Sequence, residues 1–267
     1  MVCNFSNVAF SIFGLPVHWY SLAYIFGIII AQRLSIFLSK QLEIKIASRL
    51  IDDFVSVAII GIILGGRLGY VLFYDFAYYF RFPIEIFKVW KGGMSFYGGF
   101  IGVVAAAYWF CRKHKIIFLR FLDLWSVSVP IGLFFGRIAN FINAELLGKE
   151  SSVPWNVIFS DGIQRHPSQL YEAFLEGILL FFMMLLAFNK KYHQYRGRLS
   201  GIFCAGYGVA RFCAEFFREP DSDFSHKLLC TSGLNLNQYM SIAIFLLGMV
   251  LIANQAVKSR PDNKPLK

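Results

Sequence analysis

The sequence predicts an all-α, polytopic membrane protein with seven transmembrane helices, its N-terminus outside and its C-terminus cytoplasmic. Three observations lead there. Apolar residues make up 57% of the 267 positions and charged residues only 16%, against about 45–50% and about 25% in an average soluble domain. The apolar residues gather in runs of about 20, the length a helix needs to cross roughly 30 Å of hydrocarbon. Lys and Arg collect in alternate connections between those runs. A soluble domain of this length needs more polar surface than 26 Lys and Arg, 16 Asp and Glu and 5 His supply. A disordered or fibrous chain is excluded by the same composition.

The expected spans run roughly from His18 to Leu38, Phe54 to Tyr74, Met94 to Cys111, Leu122 to Asn143, Leu170 to Phe188, Gly201 to Phe217 and Tyr239 to Val257. Helix is required because a chain in lipid must satisfy its own backbone hydrogen bonds. The runs are continuous rather than alternating, which argues against a β-barrel. One set of connections carries Lys40, Lys45, Arg49, then Arg112, Lys113, Lys115, Arg120, then Lys190, Lys191, Arg196, Arg198, then Lys258, Arg260, Lys264 and Lys267. The opposite set carries only Arg81, Lys88, Lys91, Lys149, Arg165 and Lys227. The positive-inside rule therefore places the N-terminus outside. The excess basic charge, +10 overall, fits an anionic leaflet, so membrane lipids and not nucleic acid are the expected partners.

The whole chain, 1–267, reads as one integral-membrane domain with a polar tail over about 258–267. No internal repeat stands out. The N-terminus has no basic region before its first apolar run, so no cleaved signal peptide is expected. Five cysteines, Cys3, Cys111, Cys204, Cys213 and Cys230, form no CxxC pair, and neither a disulfide framework nor a zinc site is read from them. The connections Asp75–Gly93, Ala144–Gln169 and Glu219–Gln238 are rich in aromatic residues suited to the headgroup layer.

Ionisable groups in the spans point to function, since each costs about 2.5–3.5 kcal/mol at mid-membrane. Arg33 lies near an inside end and snorkels. Arg67 follows Gly65-Gly66, and Gly61, Gly65 and Gly69 form a small-residue stripe for close helix approach. Arg67 is either tied to a carboxylate within that packing or part of a site. Arg137, Asn140 and Glu145 share one face if their helix persists. Tyr207, Arg211, Glu215 and Arg218 form a second stripe, and an Arg211–Glu215 pair at i, i+4 would leave Arg218 and Arg137 unexplained. Two Arg stripes in one bundle suit a phosphate, which Arg binds with a planar fork of donors. In Arg165-His166-Pro167-Ser168-Gln169-Leu170-Tyr171-Glu172, Pro167 opens a span capped by Ser168 or His166, and Glu172 and Glu176 then face one side. His166 is either that cap or a chemical group. No HExxH, GxSxG, Walker-A or metal-spaced carboxylate set is present. The protein is thus expected to bind, orient and neutralise while the substrates supply both reacting groups.

Five segments carry a family resemblance. They are Gly65-Gly66-Arg67-Leu68-Gly69-Tyr70 through Tyr74, Gly92-Gly93-Met94-Ser95-Phe96-Tyr97-Gly98-Gly99, Gly136-Arg137-Ile138-Ala139-Asn140 through Glu145, Arg165-His166-Pro167-Ser168 through Glu172, and Gly206-Tyr207-Gly208 through Asp221. In this order and setting the sequence resembles the bacterial prolipoprotein diacylglyceryl transferases from His18 to the seventh span. The resemblance implies a catalytic domain in the cell inner membrane. Its reaction would move the diacylglyceryl group of phosphatidylglycerol to the lipobox cysteine thiol of a prolipoprotein signal peptide and release glycerol phosphate, with no cofactor and no metal. Arg137 and Arg211 match the family's essential arginines. Asn140, Glu145 and Gly148 match its signature segment, and Tyr20, Tyr207, Glu215 and Arg218 match positions that shape the site; Arg67 joins them as a candidate for substrate binding.

One position departs from the family, which usually carries histidine where this chain has Tyr97. A phenol of pKa about 10 is a poor base at neutral pH. Either Tyr97 is tuned by the arginines, or His166 takes the proton, or no protein base is needed. The last is favoured, because a thiol of pKa about 8.5 beside guanidinium groups ionises substantially unaided. The rival readings are a transporter or channel for an anionic solute, and a lipid-phosphate transferase with another acceptor. A transporter predicts a water path to both faces and repeated halves. A purely structural scaffold gives no reason for so many polar groups within the spans.

Overall fold

The computed structural model describes residues 8–12, 15–42, 46–159, 161–220 and 230–257, without the side chains of Ile12, Leu15, Phe96, Tyr97 and 255–257. Cys3, the tail from Lys258 and positions 221–229 of the Glu219–Gln238 connection lie outside the described residues, as does the side chain of Tyr97.

The chain opens with an antiparallel hairpin, β1 (Val8–Ile12) and β2 (Leu15–His18), in register from Val8 against His18. The apolar runs did not announce it. Helices α1 (Trp19–Ser39), α2 (Ser48–Phe73), α3 (Phe76–Arg81), α4 (Phe96–His114) and α5 (Phe118–Ile142) follow. A second two-stranded sheet, β3 (Val157–Ile158) with β4 (Gln164–Arg165), precedes a continuous helical rod. The rod consists of α6 (Ser168–Glu172), a π-helical segment over Ala173–Leu179, and α7 (Leu180–Asn189). Helices α8 (Arg198–Ala214) and α9 (Leu236–Val257) complete the described chain.

The described chain is thus mostly helical, and among the described residues five helices are long and apolar enough to cross a membrane: Trp19–Ser39, Ser48–Phe73, Phe118–Ile142, Ser168–Asn189 and Leu236–Asn254. Two other expected spans coincide with helices α4 and α8. Helix α2 starts six residues before the expected Phe54, because Ser48-Arg49-Leu50-Ile51-Asp52-Asp53 adds a polar turn and a half to the apolar run. Large apolar side chains such as Ile60, Leu64, Leu72, Phe182, Leu186 and Leu246 are exposed, as expected of a surface solvated by lipid.

Two compact units divide the chain, one of residues 39–122 and one joining residues up to 38 with those from 123 onward. In the 39–122 unit the glycine stripe of α2 meets a second stripe on α4. A β-carbon at Gly61 would stand 2.8 Å from the Ala106 β-carbon, one at Gly65 would stand 2.6 Å from Gly102 Cα, and one at Gly69 would stand 2.7 Å from Gly98 Cα. The two backbones are therefore in direct contact, the geometry that small residues permit in lipid. Ser95 caps α4 by accepting from Gly98 N at 3.2 Å.

The same device recurs in the larger unit, where α8 and α9 meet through Gly201, Ala205, Gly208 and Gly248; a β-carbon at Gly248 would stand 2.5 Å from Ala205 N. Asp123, near the start of α5, is buried and accepts from Gly197 N at 2.5 Å, Ser200 N at 2.7 Å and Ser200 Oγ at 2.8 Å. A carboxylate at the first turn of α8 satisfies donors that a helix leaves open and complements its dipole. Gly197 takes φ +80° to bring its N–H into that position.

Candidate active site

Arg67 belongs to the smaller unit and has a different partner from the carboxylate the sequence suggested. Its guanidinium is buried and donates to five backbone carbonyls: Ile86 at 2.8 Å, Glu85 at 2.6 Å, Lys88 at 3.3 Å, Gly92 at 2.5 Å and Gly93 at 3.1 Å. An arginine has five N–H donors, so none is left over for a substrate. Arg67 instead folds the segment after α3, whose turns expose so many carbonyls. Gly92 and Gly93 both take φ near +80°, and a β-carbon at Gly93 would stand 3.0 Å from Arg67 Nη1 and 2.7 Å from the Tyr70 ring. Tyr97 lies on α4 in this unit.

The other predicted residues fall in the larger unit, and there the two arginine stripes converge on carboxylates. Arg137 of α5 holds Glu176 Oε2 through Nη2 at 3.0 Å and Nε at 3.2 Å, and reaches Glu172 Oε2 through Nη1 at 3.1 Å. Arg211 of α8 donates to Glu172 Oε1, lies 3.5 Å from Glu176 Oε1, and pairs with Glu215 Oε2 at 2.7 Å. Arg218 reaches Glu172 Oε1 at 3.2 Å. Glu172 therefore touches three arginines. Asn235 and Asn237 hold Glu215 Oε1 at 3.2 and 2.9 Å.

Three guanidinium groups thus face three carboxylates whose side chains are 0% exposed. An ion cluster this deep is expensive to desolvate, and its retention in an apolar bundle points to a use other than stability. The most accessible member is Arg137, at 13% of its side chain against 10% for Arg211 and 3% for Arg218. Among the described residues Arg137 donates two hydrogen bonds, both to Glu176 Oε2, and meets Glu172 Oε2 only as an ion pair, so its guanidinium retains N–H donors outside these bonds. Tyr207 is buried within electrostatic range of both Arg137 and Arg211. Tyr20 joins more loosely: Tyr24 donates to its hydroxyl at 3.1 Å and lies within electrostatic range of Arg137 and Glu145.

Neither stripe is a simple helix face. Helix α5 ends at Ile142, so Glu145 is not carried on it. The chain turns back through Ala144 at φ +53° and Leu146 at φ +57°, a strained path for non-glycine residues. That turn brings Glu145 to Asn140 Nδ2 at 3.2 Å, and Gln169 and Ser168 hold it by the carbonyls of Glu145 at 2.6 Å and Leu146 at 3.3 Å. Ser168 is therefore a tie between segments, and neither it nor His166 supplies the expected side-chain cap for α6.

Likewise α8 ends at Ala214, and a 3-10 turn over Glu215–Phe217 leads to an extended Arg218. Arg218 is positioned by an antiparallel bridge to Gly148. Lys149 N donates to Phe217 O at 2.9 Å and Glu219 N to Leu147 O at 3.1 Å. Arg165 clamps this bridge by donating to Gly148 O at 3.0 Å while pairing with Glu219 at 2.7 Å and Asp161 at 2.8 Å. The Ile163 backbone N–H, reinforced by Arg165, holds the Asp161 carboxyl below its ordinary pKa, so this end of the clamp weakens only under acid conditions.

His166 stands apart from the arginines. Its ring packs edge-on against Tyr171 and Phe217, with Nδ1 3.2 Å from the Tyr171 hydroxyl, which accepts from Trp155 Nε1 at 2.7 Å. Among the described residues it has no contact with the ion cluster, which favours packing over proton transfer. The role that sequence reasoning missed is that of Glu172 and Glu176. Their i, i+4 spacing within a span was visible, but nothing local said which cations they meet.

The comparisons with known proteins fit this arrangement. The model of the prolipoprotein diacylglyceryl transferases matches residues 7–254, nearly the whole chain. The chain belongs to that family. It is 48% identical over 253 residues to the phosphatidylglycerol–prolipoprotein diacylglyceryl transferase of Wolbachia pipientis subsp. Culex pipiens (strain wPip), covering 93% of this chain and 94% of that one. The transferase of the same description from the Wolbachia of Brugia malayi (strain TRS) is 47% identical over 266 residues, with 98% of each covered. That from Rickettsia rickettsii (strain Sheila Smith) is 45% identical over 258 residues, covering 96% and 98%. The match covers residues of both units.

Proposed function

We infer that this chain transfers the diacylglyceryl group of phosphatidylglycerol to the cysteine thiol of a prolipoprotein, the first step of lipoprotein maturation, in the bacterial inner membrane. The observation that carries the reading is Arg137, set in a spanning helix with 13% of its side chain exposed, held by two carboxylates and still offering N–H donors. The transfer requires a thiolate sulfur to attack the diacylglyceryl methylene carbon as the carbon–oxygen bond to phosphate breaks. The phosphodiester monoanion becomes a phosphate monoester, and the charge that develops on the departing oxygen is what guanidinium donors stabilise. The thiol proton leaves with water or the monoester, and glycerol phosphate is the second product.

Seven spans with the N-terminus outside complete this reading. In support, α4 ends in Arg112, Lys113 and His114, the basic turn expected at a cytoplasmic end. Both substrates are anchored in the membrane, the lipid by its acyl chains and the prolipoprotein by its signal helix, which confines their encounter to one plane. Asn140 of α5 forms one side of the site with Glu145 and Gly148 of the loop that follows it, Tyr20 and Tyr207 are its aromatic walls, and Glu215 holds Arg211 while Arg218 holds Glu172.

Arg137→Ala is expected to lower transfer at least about a hundredfold, the scale of losing one preorganised charge-stabilising donor. Formation of thioether product from labelled phosphatidylglycerol and a lipobox peptide, by wild type and by the folded variant, measures it. No product from folded wild type would turn the assignment toward anion transport. Tyr97→Phe is expected to keep transfer within about tenfold of wild type, because a lost general base costs about 10²–10⁴. Near-total loss in a folded variant would make the phenol the proton acceptor.

A further inference from the structure

Glu176 takes no part in the transfer as derived above, yet its carboxylate is fully buried and grips the most accessible arginine by two nitrogens. We propose that Glu176 is an exchangeable counter-ion: its Oε2 occupies the Nε/Nη2 fork of Arg137 that a phosphodiester oxygen takes when lipid binds, and Arg211 keeps Glu176 when Arg137 lets go. This rests on the transferase reading and adds a positioning residue to it.

Charge balance is the first support. Three arginines meet three carboxylates in the cluster, so a neutral site must release a carboxylate from one guanidinium before it can hold an anion tightly. Only Glu176 can be released at small cost. Glu172 is shared by Arg137, Arg211 and Arg218, and Glu215 is held by Arg211 and two asparagine side chains. Glu176 meets Arg137 through Oε2, and its other oxygen, buried without a hydrogen bond, lies 3.5 Å from Arg211 Nη1, close enough for Arg211 to take it up. A buried carboxylate left without any partner would be heavily penalised.

The backbone is the second, independent support. Glu176 lies within the π-helical segment Ala173–Leu179, between two α-helical stretches of the same rod. A π-bulge interrupts the ordinary ladder and is frequent at functional sites. Next to it, Gly177 is pressed on α5: a β-carbon there would stand 2.7 Å from the Phe134 β-carbon. The bulge and the glycine contact bring Glu176 against Arg137.

The test uses the full-length protein in detergent micelles, as wild type and Glu176→Gln. Each is titrated with phosphatidylglycerol, inorganic phosphate or diacylglycerol while thermal denaturation is followed, and KM and kcat for transfer are measured in parallel. Glu176→Gln removes the competing charge, so its affinity for phosphatidylglycerol should tighten about tenfold, the weight of one charge-assisted hydrogen bond. Its KM should fall in proportion and its kcat should not rise. A parallel gain for inorganic phosphate assigns the exchange to any phosphate; a gain confined to phosphatidylglycerol assigns it to the lipid headgroup. Unchanged or weaker phosphatidylglycerol binding by the folded variant, or an equal gain for diacylglycerol, overturns the proposal. Glu176→Asp, which keeps the charge but draws it back from Arg137, should tighten binding by a smaller factor and serves the same decision if the glutamine variant does not fold. Absence of thioether product from wild type would refute the transferase reading, whereas the titrations report on the exchange by themselves.

Discussion

Glu172→Gln is expected to reduce transfer to about 1% of wild type or less and to lower stability by roughly 3–5 kcal/mol, the range for breaking a buried ion pair by removing one partner. Glu172 is the hub of the cluster: Arg137 approaches Oε2 at 3.1 Å while Arg211 and Arg218 meet Oε1. A glutamine has the same shape but one acceptor oxygen, and its NH₂ points a donor at a guanidinium. The three arginines would then share two carboxylates, Glu176 and Glu215. Their repulsion moves Arg137 and Arg211 away from the geometry that receives phosphate. Transfer kinetics and thermal denaturation in detergent read the two effects together, and transfer within tenfold of wild type would mean that Glu172 does not organise the arginines. The contrast with Glu176→Gln is sharp, since the same chemical change four residues along is expected to tighten lipid binding.

Gly148→Ala is expected to cost about 3 kcal/mol, as overpacking a close backbone contact does, and to lower transfer by roughly a hundredfold, equivalent to that energy taken from the transition state. A β-carbon at Gly148 would overlap the His166 carbonyl oxygen and stand 3.0 Å from the Phe217 carbonyl oxygen. Both obstacles are backbone, so neither can swing aside. The bridge from Gly148 to Arg218 must open, and Arg218 then withdraws from Glu172. Gly132→Ala is the matched control: a β-carbon there meets nothing within 4 Å, and alanine is the better helix former. Melting curves and transfer rates of the two variants separate the contact from a general effect of losing glycine. An active, stable Gly148→Ala enzyme would show that the bridge is dispensable.

Much of the architecture could be read from local pattern. The spans follow from runs of apolar residues, and helices stand at each expected stretch, with the largest shift at Ser48, where a polar turn precedes the apolar run. The stripe of Gly61, Gly65 and Gly69 foretold close helix approach, and its partner stripe of Gly98 and Gly102 on α4 is what it meets. The hairpin of β1 and β2 was not legible, since its short strands carry no period distinct from the apolar residues around them.

The site was legible in its cations and less so in its connections. Arg137 and Arg211 stand out because a charge within a span demands a reason. Arg67 stood out on the same ground and proved to be a staple for five carbonyls, because burial cost says that a charge has partners and not which ones. Glu145 and Arg218 reach the site by leaving the helix rather than by continuing it, through the left-handed turn at Ala144 and Leu146 and the bridge at Gly148.

By itself, then, the sequence determined that this chain lives in a membrane and that it spans it as helices, and it singled out the arginines within those spans as candidates for holding an anion. Those properties rest on solvation energies that each residue carries wherever it is placed. Only the tertiary structure decided that Glu172 gathers three arginines, that Glu176 holds Arg137, and that Arg67 is spent on backbone. Glu172 and Glu176 lie 35 and 39 residues from Arg137 and Arg211 along the chain, and a charge pair between separate helices is chosen by packing, which no local pattern encodes.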